Sequence, residues 1–208
     1  TVLGSLIGGW PSEYLGRKKT LFCIGILYLV SAVGSASAPE VYSFMLFRFI
    51  GGLGVGISTV AAPMFISEIA PPDYRGRLTG MFQFNVVMGV LIAFISNSLL
   101  AGIGENAWRW MLGVEAAPAL LFTLFCIGLP ESPRWLIVHN NNRNAGLNVL
   151  RKVNPGLTEE KLNSLVKEIE ATANYKRGKG TFFTKRLLTP ILLAVFIAFF
   201  NQMSGINA

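Results

Sequence analysis

Three stretches of this chain run uncharged for the length of a membrane crossing: Thr20 to Ala38 (19 residues), Leu78 to Gly104 (27) and Leu187 to Ala208 (22). At about 1.5 Å per helical residue, each suits a hydrocarbon core of about 30 Å. Val41 to Ser67 and Trp110 to Leu129 are of similar length and carry one charge apiece, Arg48 and Glu115. Hydrophobic residues make up 52% of the chain and charged ones 14%, and the apolar residues fall in these blocks rather than at amphipathic spacing. The expected fold is all-α, a polytopic membrane helix bundle with five spans. Thr1 to Trp10 is apolar but short and has no initiator Met or signal-peptide pattern before it, so the chain reads as a fragment that starts within a further span.

Orientation follows from the basic residues. Arg17, Lys18 and Lys19 share one loop, Arg75 and Arg77 the next but one, and eleven more lie between Arg134 and Arg186. Positive loops face the cytoplasm, so the loops near Glu40 and Gly102 to Asn106 face outward. The net charge of +7 is thus a topology signal. It flanks lipid-length segments instead of forming a patch on a soluble domain, which argues against a nucleic-acid partner. The lipid bilayer is the expected one.

Three domains are expected: a partial transmembrane bundle over 1–129, a cytoplasmic helical linker over 130–186, and the start of a second bundle over 187–208. The linker mixes charge with apolar residues at helical spacing, as in Leu162, Leu165, Val166 and Ile169, with Thr158 placed to cap and Glu159 and Glu160 in the first turn. Two or three short helices are expected, with Asn174 to Gly180 as a mobile connector.

Metal and cofactor chemistry find no support. Cys23 and Cys126 are single residues inside spans, and His139, the only histidine, reads as a solvated one beside the membrane. No nucleophile or pair of catalytic carboxylates stands out, so no catalytic residue is assigned and an enzyme is not expected. Gly51-Gly52-Leu53-Gly54-Val55-Gly56 lies inside an apolar block and reads as close helix packing rather than a phosphate loop. Gly4 and Gly8, and Gly76 and Gly80, have the same four-residue spacing.

Arg48 and Glu115 are lone charges within spans. Arg48 lies about 10 Å in from the outer end of its span and Glu115 about 20 Å from the inner end of its own, depths at which the two can meet. One reading is a snorkelling Arg and a Glu that pins two helices. The other is a proton site, because an apolar setting favours a protonated carboxyl while a neighbouring guanidinium opposes it, so small movements switch the charge. At the inner surface, Glu13, Arg17 and Lys18, then Glu68 and Arg75, then Glu131 and Arg134 set acids beside bases at helix ends. Such groups either latch helices or simply solvate their ends. At the C-terminal end, Asn201-Gln202-Met203-Ser204-Gly205-Ile206-Asn207 puts three amides in an apolar run, where they must face protein or a watery cavity. Amides offer both donor and acceptor, which suits a hydroxyl-rich ligand such as a sugar.

With these motifs together, the chain resembles a sugar porter of the major facilitator superfamily over essentially all 208 residues. The motifs are Gly9-Trp-Pro-Ser-Glu13-Tyr-Leu-Gly16-Arg17-Lys18, the glycine-bearing span after Arg48 that ends in Glu68-Ile-Ala-Pro-Pro-Asp-Tyr-Arg75-Gly76, Pro130-Glu131-Ser132-Pro133-Arg134-Trp135, and the amide cluster. The resemblance implies a partial major facilitator fold running from the second to the seventh span, with a cytoplasmic helical domain between the sixth and seventh. It implies a sugar site at Gln83, Asn201, Gln202 and Asn207, and it places Arg48 and Glu115 where proton-coupled members carry an Arg and a Glu. Glu13, Lys18, Ala145 and Asn201 depart from the family pattern, and the shorter Asn201 leaves the identity of the sugar open. The implied activity is monosaccharide transport by alternating access with a proton as co-substrate, in a plasma or bacterial inner membrane. Facilitative uniport, or a sugar sensor that no longer transports, are the alternatives.

Overall fold

The computed structural model describes residues 1–71, 74–104, 106–177 and 185–203, with side chains placed outside 173–187, 194, 198 and 201–203. Among the described residues every regular element is a helix: α1 (Val2–Ile7), α2 (Gly9–Leu15), α3 (Arg17–Ser37), α4 (Val41–Ile69), α5 (Arg75–Leu100), α6 (Ala107–Val114), α7 (Ala116–Gly128), α8 (Pro133–Val138), α9 (Arg143–Val153), α10 (Glu159–Arg177) and α11 (Lys185–Met203). Four helical segments are long and apolar enough to cross a membrane: α3, α4, α5, and α6 with α7 taken together. The helices α3, α5 and α6 begin three residues before the apolar blocks, while α3, α5 and α7 end one to four residues short of them. Arg17 to Lys19 open α3 and Arg75 to Arg77 open α5, because a long basic side chain at a helix end extends to interfacial water.

Two helices are interrupted for one residue, each three positions before a proline. Pro11 has no N–H to offer the carbonyl of Ile7, and α1 gives way to α2 at Gly8. Pro118 withholds the same bond from Val114, and the break falls on Glu115.

Lipid is as apolar as leucine, so burial of leucine does not select one helix contact over another, and small residues that admit a close approach do. A Cβ on Gly4 would overlap the Leu53 carbonyl oxygen, and one on Gly56 would lie 2.7 Å from Gly4 Cα, so α1 and α4 meet backbone to backbone. A Cβ on Gly25 would strike Thr123, and one on Gly51 would strike Ser31, which closes α3 on α7 and on α4. Around these seams Leu21, Ile24, Ala61, Phe65 and Cys126 form the buried core of α3, α4 and α7. By contrast α5 has no buried residue.

Outside the spans, Ile137, Leu150, Leu162 and Val166 form a second core that joins α8, α9 and α10. Ser132 caps α8 and Asn142 caps α9, the latter accepting from Ala145 N–H at 3.0 Å. Arg151 and Glu159 pair at 2.7 Å on the exposed surface. The chain divides by contacts into Thr1–Ile169 and Glu170–Ala208, the division falling inside α10. In the second unit the Phe200 ring of α11 meets those of Phe196 and Phe199. Helix α10 continues to Arg177, so the expected connector is helical over Asn174 to Arg177; no glycine or proline interrupts it before Gly178. Residues 178–180 of that connector, and Ser204 to Ala208 of the last expected span, lie outside the described residues.

Candidate functional site

Polar side chains gather at two places in Thr1–Ile169. The first is the basic end of the bundle, at the turn from α2 to α3. Gly16 takes φ 91° there, a left-handed conformation that glycine adopts without cost, and a Cβ on it would lie 2.5 Å from Glu131 Oε2. This turn presents the first amides of α3 to Glu131, whose Oε1 accepts from Arg17 N–H at 2.8 Å and Lys18 N–H at 3.0 Å as well as from Ser132 N–H at 2.9 Å. The carboxylate thus caps the positive end of the α3 dipole. Lys18 answers in the other direction, donating from Nζ to the Ile127 carbonyl at 2.8 Å, in the last turn of α7.

With its amide used by Glu131, Arg17 turns its side chain inward. Nη2 donates to Glu68 Oε1 at 2.9 Å, Nε lies 2.8 Å from Glu68 Oε2, and Nη1 donates to the Ser12 carbonyl at 3.2 Å. Only 8% of the Arg17 side chain and 10% of that of Glu68 are exposed, so each charge depends on the other. Ser132 Oγ donates to Glu68 Oε2 at 2.6 Å. Trp135 Nε1 donates to the Glu13 carbonyl at 2.8 Å, which brings α8 against α2.

Of the seven charges singled out at this end, then, Arg17 and Glu68 form an ion pair, and Glu131 and Lys18 bond to backbone. Glu13 contributes its carbonyl, and Arg75 and Arg134 make no ion pair among the described residues. The contacts all lie within one unit. Gly16, Ser132 and Trp135 stood in the motifs without a role of their own; Ser before Pro at the first helical position was a readable cap signal for Ser132.

The second place is a cavity of 580 Å³ between α3, α4 and the α6–α7 break. Arg48 and Glu115 line it together with Tyr28, Ser31 and Phe122. Arg48 Nη1 lies 3.4 Å from Glu115 Oε2, and the side chains are 40% and 53% exposed. The two expected partners therefore meet, as a long and open pair, with Glu115 on the one residue that Pro118 excludes from the helices. At the cavity wall Tyr28 Oη donates to Ser58 Oγ at 2.7 Å, tying α3 to α4. Further out, Arg109 Nη2 donates to the Ala38 carbonyl at 3.1 Å and so closes the C-terminal end of α3.

Of the four expected amides, Gln83 alone has a described side chain. Gln83 is exposed on α5. Asn201 and Gln202 belong to α11, but their side chains, and Asn207 altogether, lie outside the described residues. No cluster of three metal-ligating side chains occurs among the described residues.

Residues 1–208 match the family model described as sugar (and other) transporter. The chain belongs to that family. Family membership makes it an integral membrane protein of the major facilitator fold, in a family of transporters rather than enzymes. It is 33% identical over 208 residues to a D-xylose transporter of Levilactobacillus brevis, and 34% identical over 207 residues to the arabinose-proton symporter of Escherichia coli. Each alignment takes in 99% of this chain but only 45% and 43% of the relative, so the chain spans under half the length of these family members. Among solved structures it is similar to the E. coli proton:xylose symporter XylE bound to 6-bromo-6-deoxy-D-glucose, with a TM-score of 0.86 and 31% identity over 99% of this chain and 48% of that one.

Proposed function

We propose that this chain supplies the second to seventh spans of a monosaccharide transporter that works by alternating access and couples sugar entry to proton entry. Its basic end faces the cytoplasm of a cell whose plasma membrane, a bacterial inner membrane, holds it. Residues 1–129 belong to the first transmembrane bundle, 130–186 to a cytoplasmic helical domain, and 187–208 to the second bundle. The observation that carries the reading is the pairing of Arg48 with Glu115 beside a cavity, in a family member a third identical to an arabinose-proton symporter. Gln83, Asn201, Gln202 and Asn207 serve the sugar hydroxyls, and a proton moves on and off the Glu115 carboxylate.

Uptake by the full-length protein tests this. Gln83→Ala or Gln202→Ala leaves a sugar hydroxyl underpaired, a loss of about 1 to 3 kcal/mol, so the half-saturating sugar concentration rises roughly tenfold. An unchanged value in both variants removes these residues from the site. Sugar accumulation driven by an imposed pH gradient checks the coupling, and equilibration without accumulation in the parent protein would identify a uniporter.

A further inference from the structure

Toward the basic end, the cavity beside Arg48 and Glu115 finishes on two aromatic rings. Phe122 follows Glu115 by seven positions on α7, about 10 Å along the helix, and its ring centroid is 6.3 Å from that of Tyr28 on α3. Each ring lies across a glycine of a neighbouring helix. A Cβ on Gly25 would stand 3.2 Å from Phe122 Cδ1, and one on Gly54 would stand 3.3 Å from Tyr28 Cε1. Tyr28 is tethered as well, because its Oη donates to Ser58 Oγ at 2.7 Å and that hydroxyl donates in turn to the Val55 carbonyl at 2.9 Å. Both rings rest on the core of α3, α4 and α7, where Ile24, Ala61 and Cys126 are fully buried. The cavity thus has charged groups in its outer part and an aromatic floor over dry packing.

We propose that Tyr28 is the inner closure of this cavity, confining water and the proton of Glu115 to its outer part. A cavity that holds a guanidinium and a carboxylate is polar enough to admit water, whereas one lined by apolar groups alone stays dry. A tyrosine suits the boundary between the two because its ring presents a broad apolar face while its hydroxyl takes a polar partner. Here the ring covers the core, and the bond to Ser58 holds it across Gly54. Release of that bond frees the ring to swing and lets water reach the packing around Cys126, one helical turn beyond Phe122. The functional consequence rests on the proton-coupled reading: a proton on Glu115 passes to the cytoplasm only after Tyr28 has moved.

The native Cys126 thiol, beneath the floor, reports on the closure. The full-length protein is prepared with Cys126 or Val55→Cys as its one cysteine, placed in lipid nanodiscs without sugar, and labelled with a membrane-impermeant thiosulfonate. Val55→Cys, in the cavity wall, should label at least about tenfold faster than Cys126, since water reaches the first and not the second. Tyr28→Phe and Ser58→Ala keep the ring but cut its tether, and each should speed Cys126 labelling by about two- to tenfold, the loss expected of one neutral hydrogen bond. Tyr28→Ala removes the ring and should speed it further. The two tether variants change little volume, so they decide the matter even where Tyr28→Ala does not fold. Parent-like labelling of Cys126 in both would overturn the proposal, as would equal labelling of Val55→Cys and Cys126 in the parent. So would an equal rise at Ile137→Cys in the cytoplasmic core, which would mean general loosening. A parent protein that accumulates no sugar against a pH gradient would sink the proton-coupled reading alone, since labelling needs neither sugar nor gradient.

Discussion

Arg17 shows how far a charge pattern can be read. Its partner Glu68 is 51 positions away, and the two were legible as an acid and a base that end up at one surface. Glu131 was not legible in the same way, because its partners are backbone amides, and backbone carries no signature in a residue pattern. Arg17→Ala leaves Glu68 nearly buried without its cation and should cost about 3 to 5 kcal/mol, whereas Arg17→Met with Glu68→Leu should recover most of that loss. Denaturant titration of the full-length protein in detergent, followed by tryptophan fluorescence, measures both. A double variant no better than the single one would show that the pair contributes net stability. Gly16→Ala forces a side chain into φ 91° and against Glu131, and the expected loss is about 1 to 3 kcal/mol in the same titration.

At the scale of elements, four of the five expected crossings were legible because length and lack of charge are sufficient to define them, and the fifth runs into residues outside the described ones. Three starts were placed three residues late because the apolar blocks mark the hydrocarbon while the helices begin in the interface, as at Arg17 and Arg75, whereas α3, α5 and α7 end one to four residues before their blocks do. The break at Glu115 went unread although Pro118 announces it, because a proline in an apolar block looks like any other small apolar residue until its missing N–H is traced to Val114. Glycine spacing, on the other hand, correctly indicated close packing for Gly4, Gly8 and Gly56, whereas at Gly76 and Gly80 an added Cβ meets nothing within 4 Å among the described residues. Gly56→Leu should therefore force α1 from α4 and abolish the folded, detergent-stable protein, while Gly80→Leu leaves it intact. Size-exclusion profiles of the two variants give the comparison, and identical profiles would remove the seam between α1 and α4 from the account.

At the scale of the whole molecule, the Arg48–Glu115 pair has to be judged by work done rather than by stability. If Glu115 carries the proton, Glu115→Gln should abolish sugar accumulation driven by a pH gradient while sparing counterflow exchange of labelled for unlabelled sugar, which moves no net proton. Both assays run on proteoliposomes with matched amounts of protein, and a parallel fall in the two would make Glu115 a structural partner of Arg48. Sequence alone brought these two residues together because depth in a membrane is a one-dimensional coordinate that residue counting can follow. It could not show that the pair is 3.4 Å long and borders a cavity, since both depend on where three helices lie around it. The basic end is built differently, from an ion pair about one-tenth exposed and from carboxylate and ammonium groups resting on peptide dipoles. Mobile ions screen exposed charges over about 8 to 10 Å at physiological strength but reach buried ones poorly. A change of ionic strength in the water that this end faces thus leaves its contacts in place.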